Sequence, residues 1–165
     1  MSVLEFAPKS FFTMRSYRVF RDGAPIGEID CGGMREGATI SIGGTSYTTA
    51  REGLMSGPYY LEANGNRLAS AERASAWRGG FTVQAGGRTY LLRAASMFAR
   101  AFVLTENGVA VGSIARHGFF IVKNKAELPD DMALEVKAFL FWLVILTSQR
   151  QMLTAVVVGS AAGGR

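Results

Sequence analysis

Nine consecutive residues, Ala138-Phe139-Leu140-Phe141-Trp142-Leu143-Val144-Ile145-Leu146, carry no polar side chain. They belong to the one long segment that reads as helix, Leu128 to Thr147. Pro129 suits a first helical position, where its missing N–H would have no partner anyway. Asp130 and Asp131 supply the negative charge favoured in a first turn, and Arg150 the positive charge favoured at the far end. A helix apolar on every face must be enclosed on every face, by protein or by lipid. A bilayer span takes roughly 20 apolar residues, and this run is about half that before Thr147, Ser148, Gln149 and Arg150 interrupt it. Extending it backward meets Glu135 and Lys137, and a charge at the bilayer centre costs at least ~2.5 kcal/mol. The length rule therefore favours a buried helix, and the rest of the chain should be a shell around it.

The preceding sequence has the texture of such a shell. Tyr17-Arg18-Val19-Phe20-Arg21 meets Asp22-Gly23 and returns as Pro25 to Asp30. Ala38 to Ile42 meets Gly43-Gly44, Pro58 to Ala63 meets Asn64-Gly65, Phe81 to Gln84 meets Gly86-Gly87, and Ala101 to Thr105 meets Asn107-Gly108. Each has a β-rich return, and Phe119 to Lys123 follows as a last strand. Tight turns of this kind need positive φ, which Gly and Asn supply cheaply. Ile40/Ile42, Phe81/Val83 and Tyr90/Leu92 alternate with period two, as strands buried on one face do. About eleven or twelve strands can close into a barrel wide enough to hold a helix. The expected fold is thus mainly β: a closed antiparallel barrel of about twelve strands around a central hydrophobic C-terminal α-helix.

Three segments follow from this reading: a lead-in at 1–14, the barrel with its helix at 15–150, and a tail at 151–165. Phe6, Phe11 and Phe12 in the lead-in should pack onto the domain, the last two over an open end of the shell. Gln151 to Val158 suits either a last strand or an extension of the helix, and the Gly/Ala-rich residues after it a frayed end.

At this point the chain resembles the tubby C-terminal-like superfamily, which includes phospholipid scramblases, LURP-one-related proteins and tubby proteins. The succession of Asn-Gly and Gly-Gly hairpins from Tyr17 to Lys123 carries part of the resemblance. The segment from Leu128 through Pro129 to Leu134-Glu135-Val136-Lys137 carries the rest, being similar to the Pro-then-Leu-x-Val-Lys start of the scramblase C-terminal helix. Together they cover residues 15 to 148. The resemblance implies a twelve-stranded barrel around a central hydrophobic helix. It also implies a lipid-facing role, since tubby domains bind phosphoinositide headgroups through basic side chains. The scramblases' acidic calcium segment has its counterpart at Lys123 to Asp131, which holds two lysines and no dense Asp/Asn run, too few oxygens for an ion that takes six to eight.

Chemistry-bearing residues are sparse. His117 is the only histidine and Cys31 the only cysteine, so no disulfide forms within the chain and no nucleophile–base pair assembles. His117 beside Gly118 reads as a turn residue. Cys31, in a Gly-rich loop, reads as a bystander. No Gly-rich stretch continues into Gly-Lys-Ser/Thr, so a phosphate loop is not indicated. The expectation is a non-enzymatic domain with no cofactor and no metal.

The net charge of +5 directs attention to the basic residues. Arg93, Arg100, Arg116, Lys123 and Lys125 fall on consecutive late strands and are the candidate contacts for an anionic ligand or phospholipid headgroup. Arg88 belongs to the same run, and Arg15, Arg18 and Arg21 form a second group. The bland alternative is that all of them are solvated outer faces of strands. Nucleic acid is disfavoured, because the aromatics that could stack on bases, Tyr59, Tyr60 and Trp77, suit core positions better. The start of the chain has no basic flank followed by an apolar run, so a cytoplasmic protein, peripheral to the inner face of a membrane, is expected. Two rival readings are a lipid-scrambling protein inserted through its C-terminal helix and a structural or protein-interaction module.

Overall fold

The computed structural model describes residues 1–10, 15–32, 36–53, 56–74, 79–96, 100–117 and 123–161, with side chains through Gln149. Twelve antiparallel strands close into a barrel: β1 (Ser2–Pro8), β2 (Ser16–Arg21), β3 (Ala24–Cys31), β4 (Gly37–Ile42), β5 (Thr45–Arg51), β6 (Tyr59–Ala63), β7 (Asn66–Arg73), β8 (Phe81–Ala85), β9 (Arg88–Ala94), β10 (Ala101–Glu106), β11 (Val109–His117) and β12 (Lys123–Leu128). Neighbours in sequence are neighbours in the sheet, and β1 closes the ring by pairing with both β2 and β12. A single helix, α1 (Leu134–Ala161), follows.

The hairpins form as the turn chemistry dictates. At Asp22-Gly23, Asn64-Gly65 and Asn107-Gly108, and at the Gly43-Gly44 and Gly86-Gly87 pairs, both turn residues have φ between 50° and 80°. Positive φ at both positions matches the right-handed twist of the flanking strands and keeps each hairpin two residues long. Gly27 has a different reason to be glycine. It faces a register shift between Val19 and Phe20, and a Cβ there would lie 2.1 Å from the Ser41 carbonyl oxygen.

Alternation then sorts the side chains. Ile40/Ile42, Phe81/Val83 and Tyr90/Leu92 point inward and are buried, in one cluster with Leu4, Phe6, Val19, Leu61 and Leu104. The helix fills the ring they line. Every residue from Val136 to Leu146 is buried; that run spans three turns, so all faces of the helix are covered. Phe141 stacks on Phe6 of β1 at 4.0 Å and meets the edge of Tyr17 of β2 at 5.1 Å. Trp142 meets Tyr59 of β6 at 5.6 Å, on the other side of the ring, and stacks with Phe139 at 5.8 Å. The apolar run finds its shelter inside its own chain.

Three expectations about the elements need correction, and one open alternative is decided. The lead-in holds strand β1, because Leu4 and Phe6 alternate inward and are fully buried; Phe11 and Phe12 lie outside the described residues. The helix starts at Leu134, not Pro129. Pro129 instead accepts a hydrogen bond from the Met132 N–H at 3.2 Å in the turn before it. The last strand runs from Lys123 to Leu128, and Phe119 to Val122 lie outside the described residues. Gln151 to Val158 continues the helix, which runs past Arg150 to Ala161 and has no basic residue in its last turn.

Candidate functional site

The barrel has two unlike ends. All five tight turns lie at one, with the chain's start and the turn that leads into α1. The longer connections after β1, β3, β5, β7, β9 and β11 leave the strands at the other.

Arg93, Arg100, Arg116, Lys123 and Lys125 fall on or beside β9, β10, β11 and β12, which are consecutive in the ring. Arg93 lies on the outer wall of β9, since Tyr90 and Leu92 face inward. Arg100 is exposed at the rim just before β10, and its carbonyl accepts the Arg116 N–H at 2.9 Å. Arg116 shares the inward-facing side of β11 with Ile114, at the loop end. Its charge is felt by the Tyr17 phenol, which burial nonetheless pushes up to about 12. Lys123 and Lys125 lie on the outer wall of β12. Strand spacing separates β12 from β9 by about 14 Å.

Lys123 and Lys125 are not bare charges. The Lys123 ammonium sits 3.8 Å from Glu5 of β1, and that of Lys125 sits 2.8 Å from Glu127. Lys125 holds the Glu127 carboxyl below the usual range. These pairs are solvent-exposed and contribute little to stability, but they offset part of the positive charge of β12. Among the described residues neither Arg93 nor Arg116 makes an ion pair. Arg15, Arg18 and Arg21 spread along the length of β2 and do not gather.

Sequence reasoning missed Arg73 and Lys9 at the loop end; Lys9 is paired with Glu28. Arg51 is there too, donating to Glu36 at 2.9 Å, and Glu36 also accepts the Tyr59 hydroxyl at 3.0 Å. The turn end carries both signs: Asp22, Glu106, Asp130 and Asp131 lie there with Arg21, Arg67, Arg88, Lys137 and the amine of Met1. Arg88 is held at this end by carboxylates. It makes two hydrogen bonds to Glu106, at 2.7 and 2.6 Å, and one to Asp131 at 2.5 Å. The signal that could have assigned these charges to an end is the class of connection each adjoins, tight turn or long loop.

Lys137 is a second feature that sequence pattern did not single out as a site. It is buried inside the turn end of the barrel and donates to the Ser2 hydroxyl. Burial pushes its pKa below the ordinary lysine range, against the opposing pull of Asp130. A folded-state pKa below the unfolded one means that the unfolded chain binds more protons at this group between the two values, so the contribution of Lys137 to stability rises with pH across that alkaline window. Lys137→Met should remove that contribution, so that its urea midpoint falls more steeply with pH than the wild type's across alkaline values, where the buried Tyr17 and half-buried Cys31, with raised pKa values, lose stability as pH climbs.

Cys31 is half-buried at the inner loop end, and burial with the nearby Asp30 charge pushes its thiol up to about 11. It is therefore a protonated thiol at neutral pH, not an activated nucleophile. His117 is the last residue of β11, opposite Lys123, and not a turn residue. Tyr59 is a core residue, Tyr60 packs under the Arg67 guanidinium at 4.5 Å, and Trp77 lies outside the described residues. Among the described residues no three His, Cys, Asp or Glu side chains converge as a metal site, and no helix is long and apolar enough to cross a membrane.

The class the geometry defines is a closed antiparallel barrel filled by its own C-terminal helix. Comparison with protein-family models, with curated proteins and with solved structures found no match.

Proposed function

We propose that this barrel is a non-enzymatic domain that binds an anionic phospholipid headgroup at a membrane surface, as a cytoplasmic protein peripheral to the inner face. The resemblance to scramblases and LURP-one-related proteins belongs to the same proposal. One observation carries it: Arg93, Arg100, Arg116 and Lys123 stand on or beside four consecutive strands toward the loop end. A Lys or Arg close to an anionic leaflet contributes about 1 kcal/mol, so a few acting together give measurable binding.

Insertion of the buried helix is disfavoured by its surroundings. Drawing Ala138 to Leu146 into a bilayer would empty the barrel and expose the inward side chains of its strands to water, against the burial that holds the fold together.

Co-sedimentation with phosphatidylserine/phosphatidylcholine vesicles at low salt tests the reading. Arg93→Glu with Arg116→Glu should weaken binding by at least about tenfold, since two reversed charges each remove more than ~1 kcal/mol. Lys123→Glu with Lys125→Glu should weaken it less, because Glu5 and Glu127 already offset those two charges. Unchanged sedimentation of both double variants, or equal binding to pure phosphatidylcholine, refutes it.

A further inference from the structure

Among the described residues Lys137 is the only lysine, arginine, histidine, aspartate or glutamate that is buried. It lies in the first turn of α1, its N–H bonded to the Ala133 carbonyl at 3.1 Å. A lysine there is unfavourable twice over: burial penalises its charge, and the start of a helix favours negative charge. Its amine reaches the Ser2 hydroxyl of β1. Lys137 is 2% exposed while Ser2 is half-buried, so the hydroxyl is the member of the pair that solvent reaches. Pairing of Ser2 with Leu128 of β12 fixes it there, and the hydroxyl donates to the Leu128 carbonyl over a long 3.4 Å bond. That arrangement suits an ammonium donating to Oγ. An amine without its proton presents a lone pair at the same point, and the hydroxyl has only its weak bond to Leu128 to give up in turning to it. The charges that act on Lys137 are Asp130 and Asp131 in the turn before the helix and Arg21 of β2. Asp130 is engaged by the amine of Met1 and Asp131 by Arg88. Burial outweighs them all and holds the Lys137 pKa below the ordinary lysine range. A buried lysine poised in this way is suited to act as a general base.

We propose that Ser2 and Lys137 form a hydroxyl–amine pair that accepts an acyl group at Ser2 from an activated ester or thioester. Ser2 Oγ attacks the acyl carbonyl and Lys137 takes the hydroxyl proton. The bond from the acyl carbon to the leaving oxygen or sulfur then breaks, and the leaving group departs with the electron pair and recovers the proton from the Lys137 ammonium. Nothing is oxidised or reduced. The donor class follows from the partners of Ser2. Among the described residues no further donor meets its hydroxyl, so the leaving group must depart as an anion, as a thiolate with a pKa of about 8.5 does and an amide nitrogen does not. One chain takes one acyl group, so the pair is a point of modification on a non-enzymatic barrel. This goes beyond the lipid-binding reading and does not depend on it.

The test treats the full chain with p-nitrophenyl acetate and with an acetyl thioester, followed by intact mass and peptide mapping. Acetyl should appear on Ser2 as an ester, which neutral hydroxylamine removes; acetyl on the Met1 amine or on surface lysines is an amide and stays. The rate at Ser2 should rise with pH and level off below the ordinary lysine range as Lys137 loses its proton. A solitary serine hydroxyl has no such plateau, and this measurement needs no variant. Ser2→Ala should remove the labile acetyl. Lys137→Met should slow its formation about 100-fold, the lower end for general base catalysis, with near-UV circular dichroism verifying the packed barrel. A wild type that gains no labile acetyl at Ser2, or gains it without the plateau, overturns the proposal and leaves the contact as a tie that seats the helix. A folded Lys137→Met chain that is labelled at the wild-type rate, or an acetyl amide on Lys137 in place of the ester, overturns it as well.

Discussion

Trp142→Ala should lower the unfolding free energy by about 3–5 kcal/mol, the range for removing a large aromatic from a packed core. The indole is 1% exposed and lies between the Phe139 ring on its own helix and Tyr59 on β6. Tyr59 cannot readily slide into the vacated space. Its hydroxyl is held by Glu36, and its ring also meets Phe81 edge-on at 5.7 Å. A cavity that its walls cannot fill keeps the full cost of the lost contacts. Against a typical total of about 5–15 kcal/mol, that loss leaves the barrel close to its threshold. The check is a urea titration. The midpoint should fall sharply with the slope unchanged, because the same surface is exposed on unfolding. Val109→Ala serves as the control: that side chain is 65% exposed, and its replacement should shift stability by no more than about 0.5 kcal/mol.

The elements most legible in the sequence were those whose rules are local. Two adjacent positive-φ residues specify a hairpin whatever lies around them, so Asn64-Gly65 and Asn107-Gly108 were plain before any coordinates. The helix run was legible for the opposite reason: nine apolar residues need a complete enclosure, and a barrel supplies one. Strand β1 was hidden because it has no hairpin. Its partners β2 and β12 are its ring neighbours, but β12 lies more than a hundred residues away in sequence, and no turn signal marks such a pairing. The start of the helix was misplaced because Pro129, Asp130 and Asp131 satisfy helix-start rules equally well in a turn whose carboxylates bind partners. Asp130 takes the chain's terminal amine at 2.8 Å, and Asp131 takes Arg88. The five basic site residues could be placed on neighbouring strands from sequence order alone. The side of β11 on which Arg116 falls could not, since it depends on the β10/β11 register shift at Leu104/Thr105, and neither could the pairing of Lys123 with Glu5 of the distant β1. The Lys137 environment was equally out of reach, because Ser2 and Lys137 are 135 residues apart.

Deletion of residues 1–8 should abolish the cooperative unfolding transition outright. β1 is the only element between β2 and β12, and it pairs with five residues of each. Without it two edges stand open, with unpaired N–H and C=O groups that invite pairing with other chains. Leu4 and Phe6, both fully buried, go with the strand, and Phe141 loses the ring stacked at 4.0 Å. The remaining strands have a poor route to a new closure. β2 and β12 each run antiparallel to β1 and therefore parallel to one another, so an eleven-stranded ring would need one parallel seam in an otherwise antiparallel sheet. Barrel diameter also grows with strand number, and a ring one strand narrower would have to admit the same helix, with Trp142, Phe139 and Phe141 still on it. The expected result is a chain that sediments as aggregate and gives no sigmoidal urea transition. A peptide of residues 1–10 added in trans should restore part of the transition by filling the gap between β2 and β12. A truncated chain that stays monomeric and unfolds cooperatively without the peptide would mean that the ring tolerates a parallel seam around its helix, and that β1 is an addition to the barrel and not its closure.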